Sequence, residues 1–266
     1  KGTNIKGQTY LFDNSGRMLT GWVAKSNSEY AEIGDENSTE KLSDYKGGDV
    51  YFCGDEDDGH AKKNKWMKTW LPNDTNEEED DKEWFWFDKE GKVFRAGVNT
   101  AAETAANAEK YKLDEGTLLP DDNKVATLIG KKKVNSKDYW FRNDGVMLSK
   151  FYKINDAMFY FGGADDGSMK TGAQTVKDDN GDTYKFYFGT KNSTTETKGV
   201  GITGNKSNKL YYKGLLLTAD DYKYQVAEVL GKKFIVNANG AIQHSNVEYK
   251  EDGDILIDGG NSHFPD

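Results

Sequence analysis

The sequence predicts an all-β chain: a solenoid of stacked β-hairpin repeats with one short helical insertion. Two observations predict it. The first is an aromatic phrase that recurs from end to end: TYLFDNSGRMLTGW at 9–22, EWFWFDKEGKVFRAG at 83–97, DYWFRNDGVMLSKF at 138–151, MFYFGGADDGSMKTG at 158–172, KLYYKGLLLT at 209–218 and a paler KFIVNANGAIQ at 233–243. Each copy reads as a hairpin: a strand of β-forming aromatics, a polar turn with Gly, then a short apolar strand. Units that recur every 20–50 residues mark an array in which each unit buries its face against its neighbours.

The second observation is composition. Of 266 residues only 35% are hydrophobic and 30% are charged, too lean for a deep aliphatic core. Aromatics reach 13%, and large flat rings bury much area even in a thin two-layer structure. The 29 Gly against 3 Pro suit hairpin tips that need positive φ.

Taken in order, the units are local in their logic. Tyr139-Trp140-Phe141-Arg142 alternates sides as a strand does, Asn143-Asp144-Gly145 turns, and Val146-Met147-Leu148 is expected to return as the second strand. The scheme repeats with Phe159-Tyr160-Phe161, Asp165-Asp166-Gly167 and Met169; Gly145 and Gly167 give a period of about 22 residues. Polar stretches at 32–46 and 73–82 read as insertions, and 178–182 and 191–198 as hairpin tips. Residues 100–111 (TAAETAANAEKY) are Ala-rich, and Thr100 with Glu103 has capping-box spacing, so a helix is expected there. Degenerate units are expected at 50–66, 184–204 and 254–260. The whole of 1–266 reads as one array, with a shift near Lys206 dividing Trp-containing copies (1–205) from a plainer end (206–266).

A net charge of −9 argues against nucleic acid or an anionic membrane as the main partner, since both need a basic surface. No apolar run approaches the roughly 20 residues of a membrane span. No signal peptide is visible, and the chain opens at Lys1 inside what reads as a repeat, so removal of an upstream part is expected. Cys53 is the only cysteine, so neither an internal disulfide nor a cysteine zinc cluster can form.

The phrase Leu11-Phe12-Asp13-Asn14-Ser15-Gly16-Arg17-Met18-Leu19-Thr20-Gly21-Trp22, with its tail repeated at Ser168-Met169-Lys170-Thr171-Gly172, resembles the bacterial cell-wall-binding repeat family. That family includes choline-binding repeats of surface proteins, glucan-binding repeats and the related repeats of clostridial toxins. The resemblance implies a β-solenoid, attachment to the cell surface, an extracellular location, and ligand binding between neighbouring units. Choline-binding members surround a quaternary ammonium with aromatic rings. Trp22 fills the position after Gly, and Tyr10, Trp84, Trp86, Tyr139, Trp140, Tyr160, Tyr187 and Tyr211 fill the aromatic strand positions. Val98, Ala173 and Asn205 follow Gly97, Gly172 and Gly204 where the family places Trp, which disfavours a regular series of choline cages.

The candidate ligand-binding aromatics are therefore Trp22, Trp66, Trp70, Trp84, Trp86, Tyr139, Trp140 and Tyr160. Trp66, Trp70, Trp84 and Trp86 stand out because they crowd a polar stretch. The expected partner is a cell-wall polysaccharide, a teichoic-acid-like polymer or another glycan; a structural or adhesive repeat that binds another protein is the alternative. No cofactor and no metal site is expected. The acidic runs 55–60, 77–81 and 178–182 lack the order of a calcium loop and read as solvated tips. His60, His244 and His263 are the only histidines, none lies in H-E-x-x-H, and no nucleophile elbow or phosphate loop is present, so a non-catalytic protein is expected. A glycan-processing carboxylate pair is the third class left open.

Overall fold

The structure is a computed structural model, and it describes all residues except 35–40, 46–47, 73–81, 99–103, 106, 127, 221–222, 245–248, 252–253 and 258–266. Among the described residues the chain forms 23 strands, every pairing between them antiparallel, and one three-residue 3-10 helix, Leu42–Asp44. It divides into two compact units: Lys1–Ala108 with Val125–Ser149 and Gly163–Ser168, and Glu109–Lys124 with Lys150–Gly162 and Met169–Asp266.

The hairpins are built one strand earlier than the sequence reading places them. The aromatic strand Lys137–Arg142 pairs with the preceding strand Ile129–Val134, and Asn135-Ser136 makes the turn with φ of 48° and 69°. Such two-residue turns, with both φ positive, match the right-handed twist of the paired strands. Asn27-Ser28, Asn155-Asp156 and Ser207-Asn208 do the same for their hairpins. The apolar segment after the Gly turn is not a full second strand; it returns only by a single bridge, as in Phe12 with Met18, Phe87 with Val93 and Phe141 with Met147.

The polar turn between them is one repeated device. Asp13 Oδ1 accepts hydrogen bonds from the amides of Ser15 and Arg17, each at 2.9 Å, while the Gly16 amide donates back to the Asp13 carbonyl at 3.2 Å. Asp88 holds Glu90, Gly91 and Lys92 the same way, as do Asp178 with Asn180, Gly181 and Asp182, and Asn237 with Asn239, Gly240 and Ala241. These side chains satisfy backbone donors that a tight turn would otherwise leave unpaired. The acidic run 178–182 is thus a turn tip organised by Asp178, while 77–81 lies outside the described residues.

Glycine in this turn serves the next unit as well as its own. The residue two positions after one turn glycine lies where the Cβ of the next would be: Met18 against Gly59 at 2.6 Å, Val93 against Gly145 at 3.2 Å, Met169 against Gly199 at 2.5 Å, and Leu216 against Gly240 at 2.5 Å; Met147 stands against Gly167 likewise.

Strand alternation then sorts the side chains. In Glu83–Phe87, Phe85 and Phe87 are fully buried with Trp22, Val50 and Val93, while Trp84 and Trp86 point the other way, toward Phe94, Phe141 and Met147. Arg95, only 1% exposed, ties segments together by donating to the carbonyls of Leu42 and Gly48, both at 2.6 Å. In the second unit, Phe151, Phe186 and Phe188 form a ring stack with Met158 and Val176. Beyond it, Leu210, Phe234, Val236 and Ile242 close a smaller core.

The expected helix at 100–111 is not formed where that segment is described. Thr104–Ala105 pairs with Ile129–Gly130, Ala108–Asp114 is a strand, and Asn107 has φ of 63°, which interrupts any α-helix. Residues 99–103 and 106 lie outside the described residues. Alanine's helix preference is a fraction of a kcal/mol per residue, and burial of Ala108 and Leu113 in a sheet outweighs it.

Gly59→Ala and Gly16→Ala separate the two roles of the turn glycine. Both residues have positive φ, but an added methyl meets open space at Gly16 and the Met18 thioether at Gly59. The backbone cost of about 1–2 kcal/mol is common to both. Gly59→Ala is expected to lose a further ~1–3 kcal/mol from overpacking, read as a lower urea midpoint.

Candidate aromatic binding face

One hairpin of the first unit carries the aromatic concentration. Lys65–Thr69 pairs with Glu83–Phe87 so that Trp66 lies opposite Trp86 and Lys68 opposite Trp84. In an antiparallel pair, opposed residues share a face. Trp66, Lys68, Trp84 and Trp86 therefore line one side of this hairpin, and Met67, Phe85 and Phe87 line the other. The strand Lys137–Arg142 adds Tyr139 and Phe141 from the same alternation.

The rings differ in exposure. Trp86 is 9% exposed and belongs to the core, whereas Trp66, Trp84 and Tyr139 are half-buried at the edge of the same cluster. Trp66 is the hub: its ring centre lies 4.8 Å from Tyr139, 5.3 Å from Trp86 and 5.7 Å from Phe141, the last pair stacked. Such offset and tilted pairs are worth about 0.5–1.5 kcal/mol beyond their burial, so the exposed faces are held rigid. Trp84 is fixed through its edge. Its Nε1 donates to Asp165 Oδ1 at 2.8 Å, and Lys68 Nζ lies 3.0 Å from the same oxygen.

The rim carries the Lys68–Asp165 ion pair and the carboxylate of Asp166. The Trp84 indole and then Lys68 hold the exposed Asp165 carboxyl below its ordinary value. Burial, and then the negative charge of Asp166, push the Tyr139 phenol up. The result is a fixed aromatic surface beside carboxylate oxygens. It can stack on a flat apolar face and accept hydrogen bonds from hydroxyls, or attract an organic cation.

The remaining candidates are placed elsewhere. Trp22 is 6% exposed, packs on Phe52, Phe85 and Phe87, and donates through Nε1 to the Trp70 carbonyl at 2.8 Å. Trp70 is half-buried, with the Lys82 ammonium 4.4 Å from its ring centre. Trp140 is 9% exposed and points away from Tyr139 by strand alternation. Tyr160 belongs to the second unit, stacked on Phe151 at 4.5 Å and on Phe188 at 6.1 Å. Sequence reasoning missed Lys68, Asp165 and Met147. Asp165 was visible only as a turn residue, because its partner Trp84 is 81 positions away.

Among the described residues no group of three or more His, Cys, Asp or Glu is arranged to hold a metal ion. Asp55 Oδ1 accepts from the amides of Asp57 and Asp58, and the Asp58 carboxylate is shared by His60 and Lys62. Cys53 is fully buried, and burial pushes its thiol up to about 12. None of the described helices is long and apolar enough to cross a membrane.

No family model matches the chain, and no curated protein matches it. Among solved structures, choline binding protein F from Streptococcus pneumoniae, in the presence of a peptidoglycan analogue, is 20% identical over 95% of this chain and 88% of that one, with a TM-score of 0.24. The choline-binding domain of CbpL from Streptococcus pneumoniae is 12% identical over 92% of this chain and 98% of that one, with a TM-score of 0.28. The modular autolysin LytC from Streptococcus pneumoniae is 15% identical over 97% of this chain and 46% of that one, with a TM-score of 0.38.

Two measurements check the local chemistry. Asp165 titrates below the ordinary carboxylate value of 3.8, so what its contacts contribute is present above that value and lost as pH falls through the folded pKa. Trp84→Phe keeps a ring but removes the N–H, and a carboxyl-detected NMR titration is expected to show Asp165 shifted upward toward 3.8. Cys53 is the only thiol, and its burial and raised pKa predict that the native protein reacts with a thiol reagent at pH 8 only as fast as it unfolds; rapid native labelling contradicts that placement.

Proposed function

We propose that this chain is a non-catalytic, extracellular cell-surface module that binds a cell-wall polymer or other carbohydrate through the face made by Trp66, Trp84 and Tyr139. The observation that carries the reading is the pinning of Trp84. Its indole edge is tied to an exposed carboxylate while its ring remains half-buried at the rim, so a stacking face is presented without the entropy cost of ordering it. A core tryptophan needs no exposed anion for its N–H. Asp165 and Asp166 beside the rings suit sugar hydroxyls and suit the quaternary ammonium of a choline-bearing polymer equally.

The solenoid order of the hairpins belongs to the same proposal. It is supported by the way each turn glycine receives the side chain that follows the preceding turn, within each unit. A non-catalytic role is supported by the sealed Cys53 and by the engagement of His60 and Lys62 with Asp58.

Retention on a cell-wall preparation tests the reading. Trp84→Ala is expected to weaken it by about 1–3 kcal/mol, roughly tenfold or more, with the melting curve little changed. Trp86→Ala, a core truncation, is expected to cost about 3–5 kcal/mol of stability instead. Retention on immobilised choline is expected to be weak, since one aromatic face supplies only about 0.5–2 kcal/mol. Undiminished wall retention in a folded Trp84→Ala protein rejects this face.

A further inference from the structure

Three of the five methionines make the same contact. Met18, Met147 and Met169 each follow a turn glycine by two positions and lay the thioether on the glycine of the next turn, at Gly59, Gly167 and Gly199. A Cβ added at Gly59 would lie 2.7 Å from the Met18 sulfur, and one at Gly199 would lie 2.5 Å from the Met169 sulfur. Sulfur itself therefore fills the seam between one turn and the next.

The three seams differ in what reaches them. Met147 is 5% exposed and packs with Trp86 and Phe141, whereas Met18 and Met169 are half-buried. A thioether within reach of a peroxide is oxidised to a sulfoxide, which is polar and larger. The seam has no place for that group. The Gly59 amide already donates to the Asp55 carbonyl at 2.9 Å, and the Gly199 amide to the Gly189 carbonyl at 2.8 Å. A sulfoxide oxygen there meets engaged amides and a space already filled, so it is both unpaired and overpacked. At Met18 the consequence is readable. Leu11 and Leu19 flank the bridge of Phe12 with Met18, and they pack in one cluster with Cys53 and Ala61, which lie on either side of Gly59 in the chain. Opening this seam opens the wall around Cys53.

We propose that Met18 and Met169 are oxidation sites at which a hydroperoxide unlocks adjacent hairpins, while Met147 is shielded, so that the turn carrying Asp165 and Asp166 stays closed. The sulfur lone pair attacks one oxygen of the hydroperoxide and the O–O bond breaks. The S–O bond of the sulfoxide forms, and the departing oxygen takes the proton and leaves as water or an alcohol. Sulfur is oxidised by two electrons and the peroxide reduced by two. The device does not rest on the wall-binding reading, because neither of its two seams contains a residue of the face around Trp84.

The test exposes the full chain to dilute hydrogen peroxide and follows each methionine by peptide mass. Met18 and Met169 are expected to gain an oxygen several-fold faster than Met147 and Met158, the latter 2% exposed; equal rates overturn the proposal. Labelling of Cys53 by a thiol reagent, with total thiol counted after unfolding, reads the opening. It is expected to run several-fold faster in the oxidised protein, to stay slow in oxidised Met18→Leu, and to run fast without peroxide in Met18→Gln, which puts an amide in the seam. Met67 is also half-buried, packs against the cluster of Phe85 and Phe87 and on none of these glycines, and remains oxidisable in Met18→Leu, so an effect lost in that variant belongs to the seam. Unchanged labelling in a protein that carries the sulfoxide at Met18 overturns the proposal. Should Met18→Leu not fold, methionine sulfoxide reductases of both stereospecificities decide: labelling that slows again once Met18 is reduced supports the switch, and labelling that stays fast overturns it.

Discussion

The structure depends on one small contact, repeated: a side chain two residues past a turn glycine resting on the glycine of the following turn. A hairpin two strands wide cannot bury both of its faces by itself. It needs the next unit close, and closeness is set where backbones meet. A Cβ at Gly59 or Gly199 would sit 2.6 or 2.5 Å from a methionine side-chain atom, inside van der Waals contact. Glycine there is required twice over, by its positive φ and by the neighbour's side chain. Methionine suits the other half of the contact because its unbranched thioether adapts to the gap. Where the side chain shrinks the backbones approach further, as at Gly214, whose added Cβ would meet the Gly201 Cα at 3.2 Å.

This constraint explains why the aromatics divide as they do. Once spacing is fixed, the strand Glu83–Phe87 has one side toward the preceding strands that carry Trp22 and Val50 and one toward the following pair that carries Phe141. In Glu83–Phe87 the two sides receive Phe and Trp respectively. Phenylalanine has no polar atom and is buried without a partner. Tryptophan carries an N–H whose burial unpaired costs about 1–3 kcal/mol. Trp22 meets this need with the Trp70 carbonyl and Trp84 with the Asp165 carboxylate. The second solution leaves the ring at the rim, where an approaching molecule can reach it.

What the sequence made legible followed distance along the chain. The aromatic strands, the turn glycines and the D-x-x-G turns are local patterns, and each is in place. The first strand of each hairpin was not legible, because segments such as Lys131-Lys132-Lys133 carry no alternation and Asn-Ser or Ser-Asn turns lack the usual glycine. Those asparagines reach the left-handed region by their own short polar side chains. The Ala-rich segment 100–111 misled for the opposite reason: its local preference is clear, but pairing with Ile129 and burial of Ala108 are decided by residues far away. At the candidate site, Trp66, Trp84 and Tyr139 were identifiable by type and crowding. Their division from buried Trp86 depends on strand parity, which a one-residue shift would reverse.

The acidic composition finds its place in this scheme without a metal. Asp13, Asp88 and Asp178 spend their oxygens on turn amides, and Glu196 and Glu109 spend theirs on lysines that sit over tyrosines. A thin β-structure has few buried backbone groups to spare and little aliphatic surface, so side-chain oxygens and ammonium groups take over work that an aliphatic core does elsewhere. Lysine methylenes cover ring faces while the charged head stays paired at the edge. The same substitution of polar for apolar closure distinguishes the two aromatic regions chemically. Around Tyr187 the chain's own cation occupies the ring face; around Trp84, Lys68 pairs with the Asp165 carboxylate that holds the indole edge. A molecule that binds by stacking therefore meets an aromatic face at the rim in the second case and a lysine in the first.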